Sequence, residues 1–257
     1  MLRWVSKFEL KPGAWVFVPT AEEVEFGNKL KREIESRWSP PNYYYHLRSG
    51  GHVAALYSHG ARAYFLRLDI KDFFGRINRS RVTRNLKKYF SYDEARDHAT
   101  RSTVKRPAAD PVQYILPFGF VQSPLIASLC LRTSKLGNLL EKISQSASCD
   151  LSVYVDDIVV SADSEDELRH LKNQLWNAAE DSAFPVNLAK STEVSDSITA
   201  FNVVLSAGGL RVSDERMQLF RAELGATDNP DKIAGIINYV KRINVGQSDE
   251  LEVEFAT

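Results

Sequence analysis

Apolar positions recur along this chain with two periods, and the switch between them marks its elements. Short runs of β-branched and aromatic residues at 15–19 (WVFVP), 63–74 (AYFLRLDIKDFF) and 151–161 (LSVYVDDIVVS) predict strands, the last as a hairpin with its two Asp at or near the turn. Spacing near 3.6 predicts helices. One begins at Thr20, where Thr20 and Glu23 make a capping box ahead of Val24, Phe26, Leu30 and Ile34, and runs to about Trp38, before Pro40-Pro41. A second covers NRSRVTRNLKKYF, with Val82, Leu86 and Phe90 on one side. A long apolar helix follows Ser123-Pro124, read as an N-cap and a first-turn proline. Ser164 and Glu167 make another capping box, with Leu168, Leu171, Leu175 and Ala178 on the buried face.

Between these, NYYYHLRSGGHVAALYSHG reads as a loop and a short helix, and 184–213 as strands with turns. Residues 213–243 read as one or two short helices, and the acidic tail from Ser248 as loose. The order implies an α+β fold, an antiparallel sheet with helices on one face. No internal repeat or low-complexity tract is visible.

Composition narrows the function classes. The 257 residues suffice for one large domain, and 33 Lys+Arg balance 33 Asp+Glu, so a polyanion must be met by local clustering and not by the field of the whole molecule. Cys130 and Cys149 lie in no paired-thiol or Cys/His ligand spacing, which argues against a disulfide framework or a structural zinc site. With no apolar run long enough for a leader or a membrane span, the expectation is a soluble, cytoplasmic protein.

The acids change this picture. An Asp pair at a hairpin turn is most often a turn device, because Asp bonds its own backbone. Asp69, however, closes a second apolar strand ahead of Phe73-Phe74, with Asp72 as a candidate helix cap. If the two strands pair, three carboxylates come within a few ångströms, a cluster that repels itself unless a cation sits among them. Oxygen-only ligands suit magnesium, and two such ions serve in-line phosphoryl transfer, so the acids point to nucleotidyl transfer.

FLRLDIKDFF, LPFGFVQSPLIASL, YVDDIVVS and FPVNLAKST resemble, in this order and at these separations, palm motifs A to D of reverse transcriptases. The likeness is to the bacterial group that includes retron enzymes, group II intron maturases and antiphage defence-associated enzymes, and it covers roughly 10–215. It implies a right-hand polymerase palm at 63–207, reduced fingers at 1–62, and a primer-grip-like hairpin with a small or vestigial thumb at 208–257. The implied activity is RNA-directed DNA polymerisation in antiphage defence, with two Mg²⁺ ions or Mn²⁺ in their place. The implied catalytic residues are Asp69, Asp156, Asp157 and Lys190, with Asp69, Asp156, Asp157 and the Ile70 carbonyl as metal ligands. Phe74 falls where the family has an aromatic beneath the incoming sugar, which would disfavour a 2′-hydroxyl; the alternative is plain core packing beside Phe73. Phe118, Gly119, Gln122 and Arg67 complete the implied nucleotide site. Lys190 matches the motif D lysine beside the leaving pyrophosphate, although a single Lys is ordinarily a solvated charge.

The chain departs from the pattern in three places. Pro117-Phe118-Gly119 stands where many relatives have Pro-Gln-Gly, suggesting altered template reading. Little room precedes PGAWVFVP for a full fingers hairpin, leaving Lys11, Arg48 or Arg67 to hold a triphosphate. Few residues follow Ser213 for a thumb, so a non-coding RNA, a partner protein or a second copy of the chain is expected to complete the clamp. Independently of any likeness, the basic residues between Arg76 and Arg106, among them Arg79, Arg81, Arg84, Lys87 and Lys88, form an island read either as a nucleic-acid surface or as a solvated helix face. The expected partners are an RNA template, a DNA product and dNTPs. The alternatives are an untemplated or protein-primed DNA polymerase on the same fold, and a catalytically idle nucleic-acid-binding or assembly module.

Overall fold

Residues 3–11, 13–107 and 109–255 are described by the structure, a computed structural model. The chain opens on a hairpin of β1 (Trp4–Lys11) and β2 (Ala14–Pro19), with Lys7 opposite Phe17. The hairpin adds β1 to the strand expected at 15–19. All of β1 but Trp4 is exposed, so it is held by backbone pairing and carries no burial pattern for periodicity to find. Thr20 Oγ1 caps α1 (Ala21–Glu35) by accepting the Glu23 N–H at 3.3 Å. The expected box is not closed, because the buried Glu23 carboxylate turns to Arg101 at 3.0 Å. Ser36 ends the helix short of Trp38.

A short turn at Tyr45–Leu47 leads to α2 (Gly51–Tyr57) and then to β3 (Tyr64–Asp69). Asn78 caps α3 (Arg79–Leu86), and a complete capping box of Ser91 and Glu94 starts α4 (Tyr92–Arg101), a mostly polar helix that the apolar pattern did not mark. A two-residue ribbon, β4 (Val104–Lys105) with β5 (Tyr114–Ile115), precedes α5 (Ser123–Arg132) and α6 (Lys135–Ser144). One long helix was expected here. The chain breaks because Ser134 Oγ accepts the Gly137 N–H and starts a new N-terminus, while Gln122, not Ser123, occupies the cap position of α5.

β6 (Cys149–Tyr154) and β7 (Asp157–Ala162) form the expected hairpin. Ser164 Oγ caps α7 (Glu165–Asp181), but the Glu167 carboxylate bonds Ser148 and leaves that box half made. The meander β8 (Ser197–Ala200), β9 (Val203–Ser206) and β10 (Gly209–Val212) is followed by α8 (Asp214–Gly225), α9 (Pro230–Lys241) and α10 (Val245–Phe255). The loose tail expected from Ser248 is therefore corrected to a helix: Leu251 is fully buried, and the Gln247 amide pairs with the Val212 N–H and C=O at 2.7 and 3.0 Å.

The central sheet has the order β3-β7-β6, all antiparallel. Being its middle strand, β7 is buried on both faces, which explains its unbroken apolar run. Leu66, Leu68, Val153, Ile158 and Val160 point into the main core with Leu125, Leu129, Leu136 and Leu168 of the covering helices. Each such side chain stabilises by roughly 1.5–3 kcal/mol on burial. The alternate residues Phe65 and Val159 meet a second core built from β8–β10 and α8–α10. Among the described residues no helix is long and apolar enough to cross a membrane.

Candidate active site

Strand register assembles the acids. Asp157, the first residue of β7, stands opposite Asp69 at the end of β3 and opposite Tyr154 at the end of β6. The two-residue turn between β6 and β7 is Val155-Asp156, with Val155 at a φ of 61°. Glycine normally takes such a position, since a β-branched side chain crowds its own backbone there. The Ile70 N–H donates to the Asp156 carbonyl at 2.9 Å, tying the turn to the end of β3.

Each acid meets a different electrostatic surrounding. Asp69 is buried; its Oδ1 accepts from Asn187 Nδ2 at 2.8 Å and its Oδ2 lies 3.1 Å from Lys190 Nζ. Its backbone accepts the Asn187 N–H and donates to Ser191 Oγ, so residues 187–191 are stitched along the end of β3. Asp157 Oδ1 receives Arg67 Nε at 2.7 Å and Nη2 at 2.6 Å, and Arg67 Nη1 also donates to the Thr199 carbonyl at 3.0 Å. Burial still raises the Asp157 carboxyl above its usual range against the pull of that guanidinium. Asp156 has no cationic partner within ion-pair distance among the described residues. Burial first, then the charges of Asp157 and Asp69, push its carboxyl up to about 6.

Three carboxylates are thus set against two cations, with the deficit at Asp156. Among the described residues no three His, Cys, Asp or Glu side chains converge closely enough to hold a metal ion by themselves. The donor chemistry of Asp69 and Asp156 nevertheless fits a divalent cation, because hard oxygens gather there and one charge is unanswered.

The acids line a cleft of about 690 Å³. Its lining also includes Lys11 and Val16 of the first hairpin, Phe74, Arg76, Arg106 and Phe118, and Tyr154, Asn187, Lys190 and Phe201. Phe74 packs on Phe73 and on the half-exposed Phe118, with ring centres 5.7 and 5.8 Å away, so it serves the core and lines the cleft at once. Gly119 acts through its lack of a side chain: at a φ of 114°, a Cβ would lie 2.3 Å from the Phe17 carbonyl, where β2 docks on this loop.

Other expected site residues lie elsewhere. Gln122 is fully buried beside Gly27, its Nε2 reaching Ser102 Oγ at 3.4 Å, and it does not line the cleft. Arg67 is committed to Asp157, and Arg48 stacks on Tyr45, whereas Lys11 faces the cleft. The basic island divides. Arg79 stacks on Tyr114 with its Nε on Thr103 Oγ1, and Arg81 stacks on Phe184, whereas Arg76, Arg84, Lys87 and Lys88 are exposed. Asp72 caps no helix; it pairs with Arg106 at 2.9 Å. Sequence reasoning missed Asn187 and Ser191, and it named Arg106 only as the end of the basic island. Only the spacing of Asn187 and Lys190, three residues apart on one loop, offered a signal that both could reach one carboxylate.

Residues 25–226 match the family described as Reverse transcriptase (RNA-dependent DNA polymerase). Among solved structures, the fold is similar to a foamy viral protease-reverse transcriptase in complex with double-stranded DNA, at a TM-score of 0.53 and 16% identity, over 91% of this chain and 35% of that one. It is also similar to the foamy viral protease-reverse transcriptase in complex with an RNA/DNA hybrid, at 0.50 and 17%, over 76% of this chain and 23% of that one. The chain spans about a third or less of those proteins, and the likeness is one of fold. No curated protein matches it.

Proposed function

The chain belongs to the reverse transcriptase family, and from that premise we propose that it is an RNA-directed DNA polymerase, adding dNTPs to a 3′ end by two-metal nucleotidyl transfer. One observation carries the reading: Asp69, Asp156 and Asp157 are gathered by strand register in a single cleft, and Asp156 has no ion-pair partner among the described residues. A binding module has no physical need for buried, mutually repelling carboxylates facing a phosphate path.

On this proposal Asp69 and Asp156, with the Ile70 carbonyl, hold Mg²⁺ or Mn²⁺. The ions would lower the pKa of the attacking 3′-hydroxyl and offset charge on the leaving pyrophosphate. Asp157 keeps Arg67 and β8 in place beside them. Lys190, paired with Asp69 Oδ2, would serve as the proton donor to the leaving phosphates. Lys11, Arg76 and Arg106 supply positive charge along the cleft for a triphosphate, and Phe74 fills the space a 2′-hydroxyl would need. Arg84, Lys87 and Lys88 serve as backbone contacts for nucleic acid. We assign 1–62 to fingers, 63–207 to palm and 208–257 to primer grip and thumb. The motif resemblance alone supports a role in bacterial antiphage defence, with a non-coding RNA, a protein partner or a second copy completing the clamp.

Purified protein with Mg²⁺, dNTPs and a primed RNA tests the reading. Incorporation should require RNA and vanish in Asp156→Ala, and the same substitution should abolish protection in a phage plating assay. Failure of wild-type protein to extend any primer would sink it. Untemplated or protein-primed synthesis is the second reading, favoured by the exposed Phe118 beside Phe74 where many relatives have glutamine. Product that persists after RNase treatment selects it.

A further inference from the structure

We propose that His46 positions the catalytic turn: its Nδ1 takes the Val155 N–H and so fixes the Tyr154–Val155 peptide that opens the turn carrying the Asp156 carboxylate, an inference that rests on the polymerase reading above. His46 lies in the turn Tyr45–Leu47, 109 residues before Val155, outside every acid-bearing motif.

A non-glycine residue at positive φ persists only where its surroundings overdetermine it. At Val155 the constraint is visible. Its N–H meets His46 Nδ1 at 3.0 Å, while on the far side of the acid the Asp156 carbonyl accepts the Ile70 N–H at 2.9 Å. The peptide that enters Val155 and the peptide that leaves Asp156 are therefore tied to two different elements.

The ring is itself held from three directions. Its Nε2 meets Ser128 Oγ of α5 at 2.6 Å, and Ser128 Oγ donates to the Pro124 carbonyl at 2.9 Å. The rings of Tyr44 and Tyr154 flank it, with centres 5.8 and 5.9 Å away. Its own backbone segment runs beside β6, because Tyr44 pairs with Val153 and the Val153 N–H donates to the Tyr43 carbonyl at 2.8 Å.

The partners also fix the tautomer. A backbone N–H can only donate, so Nδ1 is bare and the proton sits on Nε2, pointing at Ser128. The Val153 carbonyl, 3.4 Å from the same Nδ1, then faces a lone pair and forms no bond. Burial pushes the imidazole down to about 4, so the acceptor is present at neutral pH.

The test compares two substitutions. His46→Phe keeps a ring and removes the acceptor; His46→Asn returns an acceptor oxygen near the Nδ1 position. Groups that orient a metal-ligand side chain typically cost ~10–100-fold when lost, and we expect His46→Phe to lower kcat for Mg²⁺-dependent dNTP incorporation by that much. KM for dNTP should stay within about twofold, since the nucleotide contacts are untouched. His46→Asn should recover most of kcat. On metal-free protein, the Val155 amide should exchange at least about tenfold faster in His46→Phe than in wild type or His46→Asn. Nitrogen shifts of wild-type His46 should report a protonated Nε2 and a bare Nδ1. His46→Gln, which reaches Ser128 and presents nothing at Nδ1, gives the same comparison if the Phe variant does not fold. Equal protection of the Val155 amide in wild type and His46→Phe, or an Asn variant as impaired as Phe, overturns the assignment. Wild-type protein that incorporates no dNTP refutes the polymerase reading instead, and the amide measurement then decides His46 alone.

Discussion

Arg67 grips Asp157 through Nε at 2.7 Å and Nη2 at 2.6 Å, so the second acid of the β6–β7 hairpin is neutralised from within the protein while the first, Asp156, is not. Both partners of the pair are mostly buried, and deleting one leaves the other as an uncompensated charge.

Arg67→Ala should therefore destabilise the protein by about 3–5 kcal/mol. Combining it with Asp157→Asn should recover much of that loss without restoring activity. Urea denaturation of the four proteins in the cycle measures the coupling. A nucleotide ligand would behave differently, with Arg67→Ala raising KM at unchanged stability.

Asp156 should show the opposite sign. Its folded-state carboxyl lies near 6 against an unfolded value near 4, so the folded state binds more protons between those values and stability falls as pH rises through the window. At neutral pH the half-buried carboxylate costs up to about 3 kcal/mol. Asp156→Asn is expected to raise the Tm of metal-free protein by a few degrees while abolishing incorporation. Added Mg²⁺ should raise the Tm of wild type and leave the variant unmoved. A variant no more stable than wild type in scanning calorimetry would contradict the electrostatic account.

Phe74 separates its two roles by measurement. Replacing it with Ala should cut the preference for dATP over ATP about ten- to a hundredfold, because a pocket that rejects a hydroxyl by shape loses that much when the ring is removed. If the ring only packs on Phe73, the variant will melt earlier with its nucleotide preference intact, as a competition assay would reveal.

His59 predicts acid sensitivity. It is fully buried, with Nδ1 2.7 Å from Ser161 Oγ and Nε2 2.8 Å from Ser152 Oγ, and burial pushes it down to about 4. Between that value and the unfolded value near 6.5, only the unfolded chain takes the proton, so stability present above this window is lost as pH falls through it. His46 shifts the same way. In the Asp156→Asn background, which removes the main opposing titration, each histidine should contribute about 1 kcal/mol of lost stability between pH 7.5 and 5.5. Denaturation midpoints that do not move over this range would rule it out.

The strands around the acids were legible in the sequence because burial imprints a period: Tyr64–Asp69 and 151–161 read as sheet, and the polar pair inside the apolar run marked the neighbourhood of its turn, which falls at Val155-Asp156. The cap at Thr20 and the helix after Ser164 were legible for the same reason, since capping chemistry is local. Elements whose stability lies in the backbone or in distant partners left no such imprint, as in the exposed β1, the polar α4, and α10 with Gln247 bonded across to Val212. The same distinction runs through the site. The sequence determined that Asp69, Asp156 and Asp157 would be present and near turns. Only tertiary structure decided that Arg67 answers Asp157, that Asn187 and Lys190 share Asp69, that Gln122 lies in the core and that Asp156 has no ion pair among the described residues. Charge pairing depends on which strands become neighbours and in what register, and a one-residue slip of β3 against β7 would have reassigned every partner.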